Sequence, residues 1–344
     1  ERGEFAVTAE VGPPKGIHIE GLLEEAKTYL SDITAVNVTD NQSSVMRLGS
    51  LGVCKALKDE GLTPIFQLTC RDRNRIALQS DLLSAAMLGI ENLLLLTGDH
   101  TKMGDHPQAK PVFDLDSVSL IHAVKQLESG VDLGGNQLVG EPPKFAKGAV
   151  VSPCSDSVDA QLAKMERKVA AGADYFQTQA VFEPEKFIKF MEKAKQYGIA
   201  PSRLHIDPLV VTLGTDQTAL TVFADCCRRI KSEYPDIHIT SGLSNISFGL
   251  PVRKNINQAF MVLAMNAGMD SAIVDPTNKN MIGMIYATNA LLERDEYCLQ
   301  YIDKFGNKAA EEVQPTPASP LDEKMQKVFK LTQDGKNKEI GQAV

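Results

Sequence analysis

The polar residues that interrupt the apolar runs of this chain are the ones placed to do chemistry. Glu10 ends the run AVTAEV and precedes Val-Gly-Pro-Pro, which stops a strand and turns the chain. A carboxylate there points into the mouth of a parallel barrel, where partial burial would raise its pKa and let it act as a general acid. A solvated strand-end acid would read the same way. Asp99 closes Leu-Leu-Leu-Leu-Thr-Gly-Asp, in which the glycine lets the backbone approach a ligand and the aspartate meet a ring edge. A turn-capping aspartate is the other reading. Thr39 and Thr69 occupy equivalent strand ends, as do Asn41 and Asp72, and hydroxyls so placed can bond phosphate or polyol oxygens. Arg167 and Lys168, in KMERKVAAGA, put adjacent positive charge near a helix end. Gln179 lies in FQTQAVF, where a buried amide needs a partner, because stranding one costs about 1–3 kcal/mol.

These residues need a frame, and the chain alternates strand and helix throughout. Apolar runs predict strands at 6–11, 35–40, 64–70, 92–98, 147–153, 175–181, 204–210, 237–243 and 271–276. Segments with apolar residues three and four apart predict helices at 19–31, 47–60, 76–89, 116–128, 157–171, 184–197, 217–233 and 253–267. One phrase, a helix ending in Ala-Gly before a strand, occurs at 171–172 and again at 267–268. The pattern predicts an α/β fold, a TIM-type (β/α)8 barrel. Nine strands exceed eight, so one run is not a strand, one strand lies outside the barrel, or parts of two barrels are joined. Residues 100–115 form a long polar loop where a lid or ligand clamp would sit. The boundaries read as barrel at 1–305, linker at 306–320 and a charged helical tail at 321–344.

Composition removes several function classes. A net charge of −8 disfavours a nucleic-acid binder, since phosphate neutralisation needs clustered cations. No apolar run approaches the roughly 20 residues that span a bilayer. With no signal peptide in the first residues, a cytoplasmic protein is expected. Cys54, Cys70, Cys154, Cys226, Cys227 and Cys298 fall in no zinc-site spacing and read as cytosolic thiols. The histidines show no HExxH or triad-like grouping, so a hydrolase has no support and no metal is expected.

The segments TAEVGPPKG, QLTCRDRNR and LLLLTGDH together resemble the methylenetetrahydrofolate reductases, and the resemblance runs from about residue 5 to about 196. It implies FAD across the barrel mouth with no GxGxxG unit. It further implies Glu10 as the acid that opens the folate methylene bridge, and Asp99 beside the flavin pyrimidine. Thr39 and Thr69 would be flavin contacts, Arg167 and Lys168 would meet the pyrophosphate, and Gln179 would touch flavin and folate. Electrons would come from NAD(P)H or an electron-transfer partner subunit, and the protein would be a homo-oligomer. From about 200 to 305, LHIDPLV, SGLSNISFGLP and AGMDSAIVDP resemble the methyltetrahydrofolate–corrinoid methyltransferases, a pterin-binding family. That resemblance implies Asp207 and Asn245 as pterin contacts and a corrinoid protein as partner. The methyltransferases' earlier pterin contacts are missing, as is the reductases' late aromatic, for which Phe182 and Phe248 are the candidate substitutes. Three readings follow in one-carbon metabolism. They are a flavin-dependent reductase forming 5-methyltetrahydrofolate, a methyltransferase, and a folate-binding subunit without turnover.

Overall fold

The computed structural model describes residues 5–27, 33–275 and 278–312. All nine predicted strands form. They are β1 (Ala6–Val11), β2 (Ala35–Val38), β3 (Pro64–Thr69), β4 (Asn92–Leu96), β5 (Ala146–Val151), β6 (Tyr175–Thr178), β7 (Leu204–Ile206), β8 (His238–Ile239) and β9 (Ser271–Ile273). None lies outside the barrel: every strand joins one parallel sheet in the order β8-β7-β6-β5-β4-β3-β2-β1-β9. The sheet returns on itself through a bridge between Gly242 and Ile273, and Ile273 N–H donates to Ser241 O at 3.0 Å.

Helices follow the strands: α1 (Glu20–Lys27), α2 (Ser50–Asp59), α3 (Arg75–Met87), α4 (Ser117–Glu128), α5 (Val158–Ala171), α6 (Pro184–Gln196), α7 (Ala219–Glu233), α8 (Arg253–Asn266) and α9 (Lys279–Leu291). Their ends carry local signals. Asn74 and Asp116 cap α3 and α4 by accepting backbone N–H bonds, and Pro184 occupies the first turn of α6. Both Ala-Gly stops are real, with Gly172 at φ 110 and Gly268 at φ 112. The end of the 19–31 helix, residue 276 of the last strand and the 321–344 tail lie outside the described residues. Residues 1–289 form one compact unit. In the second, α10 (Leu299–Glu312) runs through the start of the stretch expected to be a linker. No helix among the described residues is long and apolar enough to cross a membrane.

Strand periodicity divides the side chains between two faces. Phe66, Leu93, Leu95, Phe176 and Ile206 are fully buried, and the alternate positions face the barrel axis. On that inner face Tyr175 lies against Gly148, its register partner. Tyr175 also meets His205 edge-on at 6.0 Å, and His205 stacks on His238 at 4.7 Å. Burial, then the neighbouring His238, pushes His205 down to about 4, so a neutral ring fills the interior at pH 7.

A Cβ built on Gly148 would lie 2.5 Å from the Tyr175 ring and 2.9 Å from Leu93 O, and the carbonyl cannot move without the sheet. Gly148→Ala should therefore destabilise the protein by about 2–4 kcal/mol in chemical denaturation. A loss below about 0.5 kcal/mol would contradict this packing.

Candidate active site

Followed to their carboxyl ends, the inward faces of the strands deliver polar residues to one rim. Glu10 is in register with Asn37, and the same face continues to Gln67 and Thr69. Ser152, Gln179 and Asp207 stand two residues beyond Val150, Gln177 and His205, which are themselves in register. A cleft of about 380 Å³ opens over the β2 to β6 side of this rim. Thr69, Asp99, Lys168 and Gln179 all line it, joined by Asp40, Arg71, Ser152, Gln161 and Lys164.

Two charge networks fix the cleft wall. The Asp40 side chain is 1% exposed, and its Oδ2 accepts from Thr69 N–H at 2.9 Å and Thr69 Oγ1 at 2.8 Å. Arg73 donates to both carboxylate oxygens of Asp40, and its Nε pairs with Asp81 at 2.9 Å. Arg71, 3% exposed, forms a two-point pair with Asp72 at 2.8 and 2.7 Å. It also donates to Asn41 O and Asp99 O, at 3.3 and 3.4 Å, so one guanidinium ties three strand-end loops together. Burial works to raise Asp72, but Arg71, Asn41 and Arg73 together outweigh it and hold the carboxyl below its usual range.

Gly98 adopts φ 91, and a Cβ there would approach Thr69 Cβ to 3.1 Å and Arg71 Cβ to 3.2 Å. Only glycine gives this close turn, which presents Asp99 exposed beside the cleft. On the far wall Gln161, Lys164 and Lys168 share a face of α5 at spacings of three and four. Lys168 is buried and donates to Val150 O at 2.6 Å. Burial, and then Lys164, push Lys168 down to about 8, with Asp116 pulling the other way.

Several expected residues are placed differently. Glu10 points to the mouth but is exposed, without the burial invoked for it, and does not line the cleft. Thr39 is buried, with its hydroxyl turned to Val11 O at 3.5 Å, and the adjacent Asp40 takes the cleft position. Arg167 is exposed on the outer face of α5, because neighbours on a helix point about 100° apart. Gln179 lies just past β6 and is exposed, so its amide is open to a ligand and is not a core group. Phe182 and Phe248 are 62% and 69% exposed, and neither lines this cleft. The loop at 100–115 is strapped down: Asp105 pairs with Lys15 at 2.6 Å, Asp114 pairs with Arg75 at 2.9 Å, and Val112 N–H donates to Arg71 O.

On the adjoining rim, Asp207 Oδ1 accepts from Ser241 Oγ at 2.6 Å and Leu209 N–H at 3.0 Å. Burial raises its pKa despite those bonds. Asn245 is exposed in the 3-10 turn Leu243–Ser247. Among the described residues no His, Cys, Asp or Glu cluster could hold a metal.

The lining suits an anionic ligand, with cations from α5 on one wall and the tight Gly98 turn on another. Lys164 and Gln161 are among the residues that sequence reading missed, with Asp40, Arg71 and Ser152, although their spacing from Lys168 marks the inward face of α5.

A family model described as methylenetetrahydrofolate reductase matches residues 1–240. The methylcorrinoid:tetrahydrofolate methyltransferase of Eubacterium limosum is 52% identical over 115 residues, which is 33% of this chain and 42% of that protein. The 5,10-methylenetetrahydrofolate reductase of Salmonella typhimurium is 27% identical over 201 residues, 58% of this chain and 62% of that protein. The chain thus spans less than two thirds of either relative. A dihydropteroate synthase from Yersinia pestis aligns with 84% of this chain and 95% of its own at 13% identity and a TM-score of 0.42.

Asp40→Ala would strand the Arg73 guanidinium and the Thr69 donors, although Asp81 still partners Arg73. The expected loss of stability is about 3 kcal/mol by urea denaturation, against less for Asp40→Asn, which keeps an acceptor for Thr69. Equal losses for the two variants would show that the Thr69 bonds do not matter.

Proposed function

Because the chain belongs to the methylenetetrahydrofolate reductase family, we propose that it reduces 5,10-methylenetetrahydrofolate to 5-methyltetrahydrofolate with FAD held in the cleft above β2 to β6. The observation that carries this reading is the convergence of Thr69, Asp99, Lys168 and Gln179 on one cleft within the matched segment. FAD, when bound, supplies hydride chemistry, with electrons from NAD(P)H or a partner subunit. Lys164 and Lys168 offer two ammonium groups to phosphate oxygens. Asp99 sets a negative charge beside the ring site, which disfavours added electron density there and eases hydride donation. Gln179 offers an amide N–H and a carbonyl from one side chain, enough to orient cofactor and folate together. Glu10, exposed at the mouth, gives a proton to a nitrogen of the methylene bridge so that the bridge opens.

A second reading is favoured by the Eubacterium limosum relative and by the half-buried carboxylate of Asp207. In it, Asp207 and Asn245 hold the pterin of methyltetrahydrofolate while its methyl group passes to a corrinoid protein. Both readings require a reduced folate at the same barrel mouth.

The visible spectrum of the purified protein separates them. A flavin spectrum that bleaches on anaerobic addition of methyltetrahydrofolate supports the reductase. A colourless protein that cannot be loaded with FAD sinks the reductase and favours methyl transfer. Glu10→Gln should lower the reductase rate at least 100-fold while leaving FAD bound, and a wild-type rate would remove Glu10 from the mechanism. Because Lys168 is protonated below about pH 8 and neutral above it, FAD affinity should fall as pH rises through 8. Lys168→Gln should flatten that dependence in fluorescence titrations. An unchanged profile would place the phosphates elsewhere.

A further inference from the structure

A second cleft, of about 650 Å³, lies where the ends of β8 and β9 meet the first turns of α8 and α9. Ser244, Arg253, Lys254, Asn257, Asp275 and Asn278 give it a polar lining. Arg253 is held in place, its Nε donating to Ser247 Oγ at 3.0 Å and its Nη2 to Ser244 O at 2.6 Å. Asn257 is only 9% exposed, yet its Oδ1 has no hydrogen-bond partner among the described residues. A buried acceptor left in that state calls for a donor from outside the chain. The cleft therefore presents two cations against the single carboxylate of Asp275, together with an acceptor that needs an N–H or O–H.

Resting on the folate reading above, we propose that this cleft receives the aminobenzoyl-glutamate tail of the folate, with the glutamate carboxylates on Arg253 and Lys254 and the amide N–H on Asn257 Oδ1. A dianionic glutamate matches the two cations, whereas a pterin ring carries no such charge. A phosphate shares the anionic character but brings no amide N–H for Asn257. The position is also suitable. Ser244 lines the cleft and directly precedes Asn245, so a folate whose pterin lies at the Asp207–Asn245 rim can extend its tail here.

The test is an NMR titration of the ¹⁵N-labelled full chain with p-aminobenzoyl-glutamate, which has no pterin, and with p-aminobenzamide, which has no carboxylate. Saturable shifts at Asn257 and Arg253 with the first probe only are expected, weakened about tenfold or more in Lys254→Glu. Lys254 is exposed, so that variant should fold normally. Absence of saturable shifts, equal affinity in Lys254→Glu, or equal binding of the uncharged probe overturns the tail site. Inorganic phosphate that binds while p-aminobenzoyl-glutamate does not also overturns it. The folate reading stands or falls separately, on binding of a tail-less tetrahydropterin to the same sample.

Discussion

β9 pairs with β1 on one side and, through the Gly242–Ile273 bridge, reaches the end of β8 on the other, and this double contact turns a row of parallel strands into a barrel. Every candidate site position depends on it. In a closed parallel sheet each strand end can aim one side chain at a common axis, and the helices bury the alternate residues on the outside. Glu10, Thr69, Ser152, Gln179 and Asp207 reach one rim for that reason, although they are spread over nearly two hundred residues of chain. Pairing shifted by one residue would turn each of them toward the helices.

Nine strands enclose a wider interior than eight, and the extra space must be filled by side chains or remain as a costly void. Here the rings of Tyr175, His205 and His238 fill it, with Gly148 making room for the first. The His205 ring belongs to this packing because it is neutral; an imidazolium there would be a desolvated charge beside a second histidine. The candidate cleft lies at the open end. There the strand-end loops are held by charge and not by apolar contact. Asp40 ties the end of β2 to β3, and Arg71 ties both to the loop after β4. Such pairs cost desolvation, so their return lies chiefly in fixed geometry.

Much of this was legible in the residues. The nine strand segments, the two Ala-Gly stops and the Gly98 turn follow from periodicity and from backbone preferences that act locally. Nine strands could not be reconciled with eight from pattern alone, because ring closure is a long-range pairing between β1 and β9. The errors in the site have the same origin. Gln179 read as a buried strand amide because the end of β6 is set by its pairing with β5 and β7, which leaves Gln179 outside. Arg167 and Lys168 read as one cationic pair, whereas helical geometry separates them and joins Lys168 to Lys164. Asp40 was hidden because its partners, Thr69 and Arg73, lie about thirty residues away.

The two resemblances in this chain meet on a single rim, and that constrains any account of its chemistry. The cleft lined by Asp99, Lys168 and Gln179 lies above β2 to β6, while Asp207 and Asn245 follow β7 and β8. A barrel admits such a combination because each strand end contributes its residues independently, whereas the floor and closure are shared. This mouth carries carboxylates on both sides, exposed at Glu10 and partly desolvated at Asp207. Glu10 stands in solvent, whereas partial burial raises the pKa of Asp207 against its bonds from Ser241 and Leu209. The two carboxylates of this rim therefore differ in environment because each strand end sets its own surroundings.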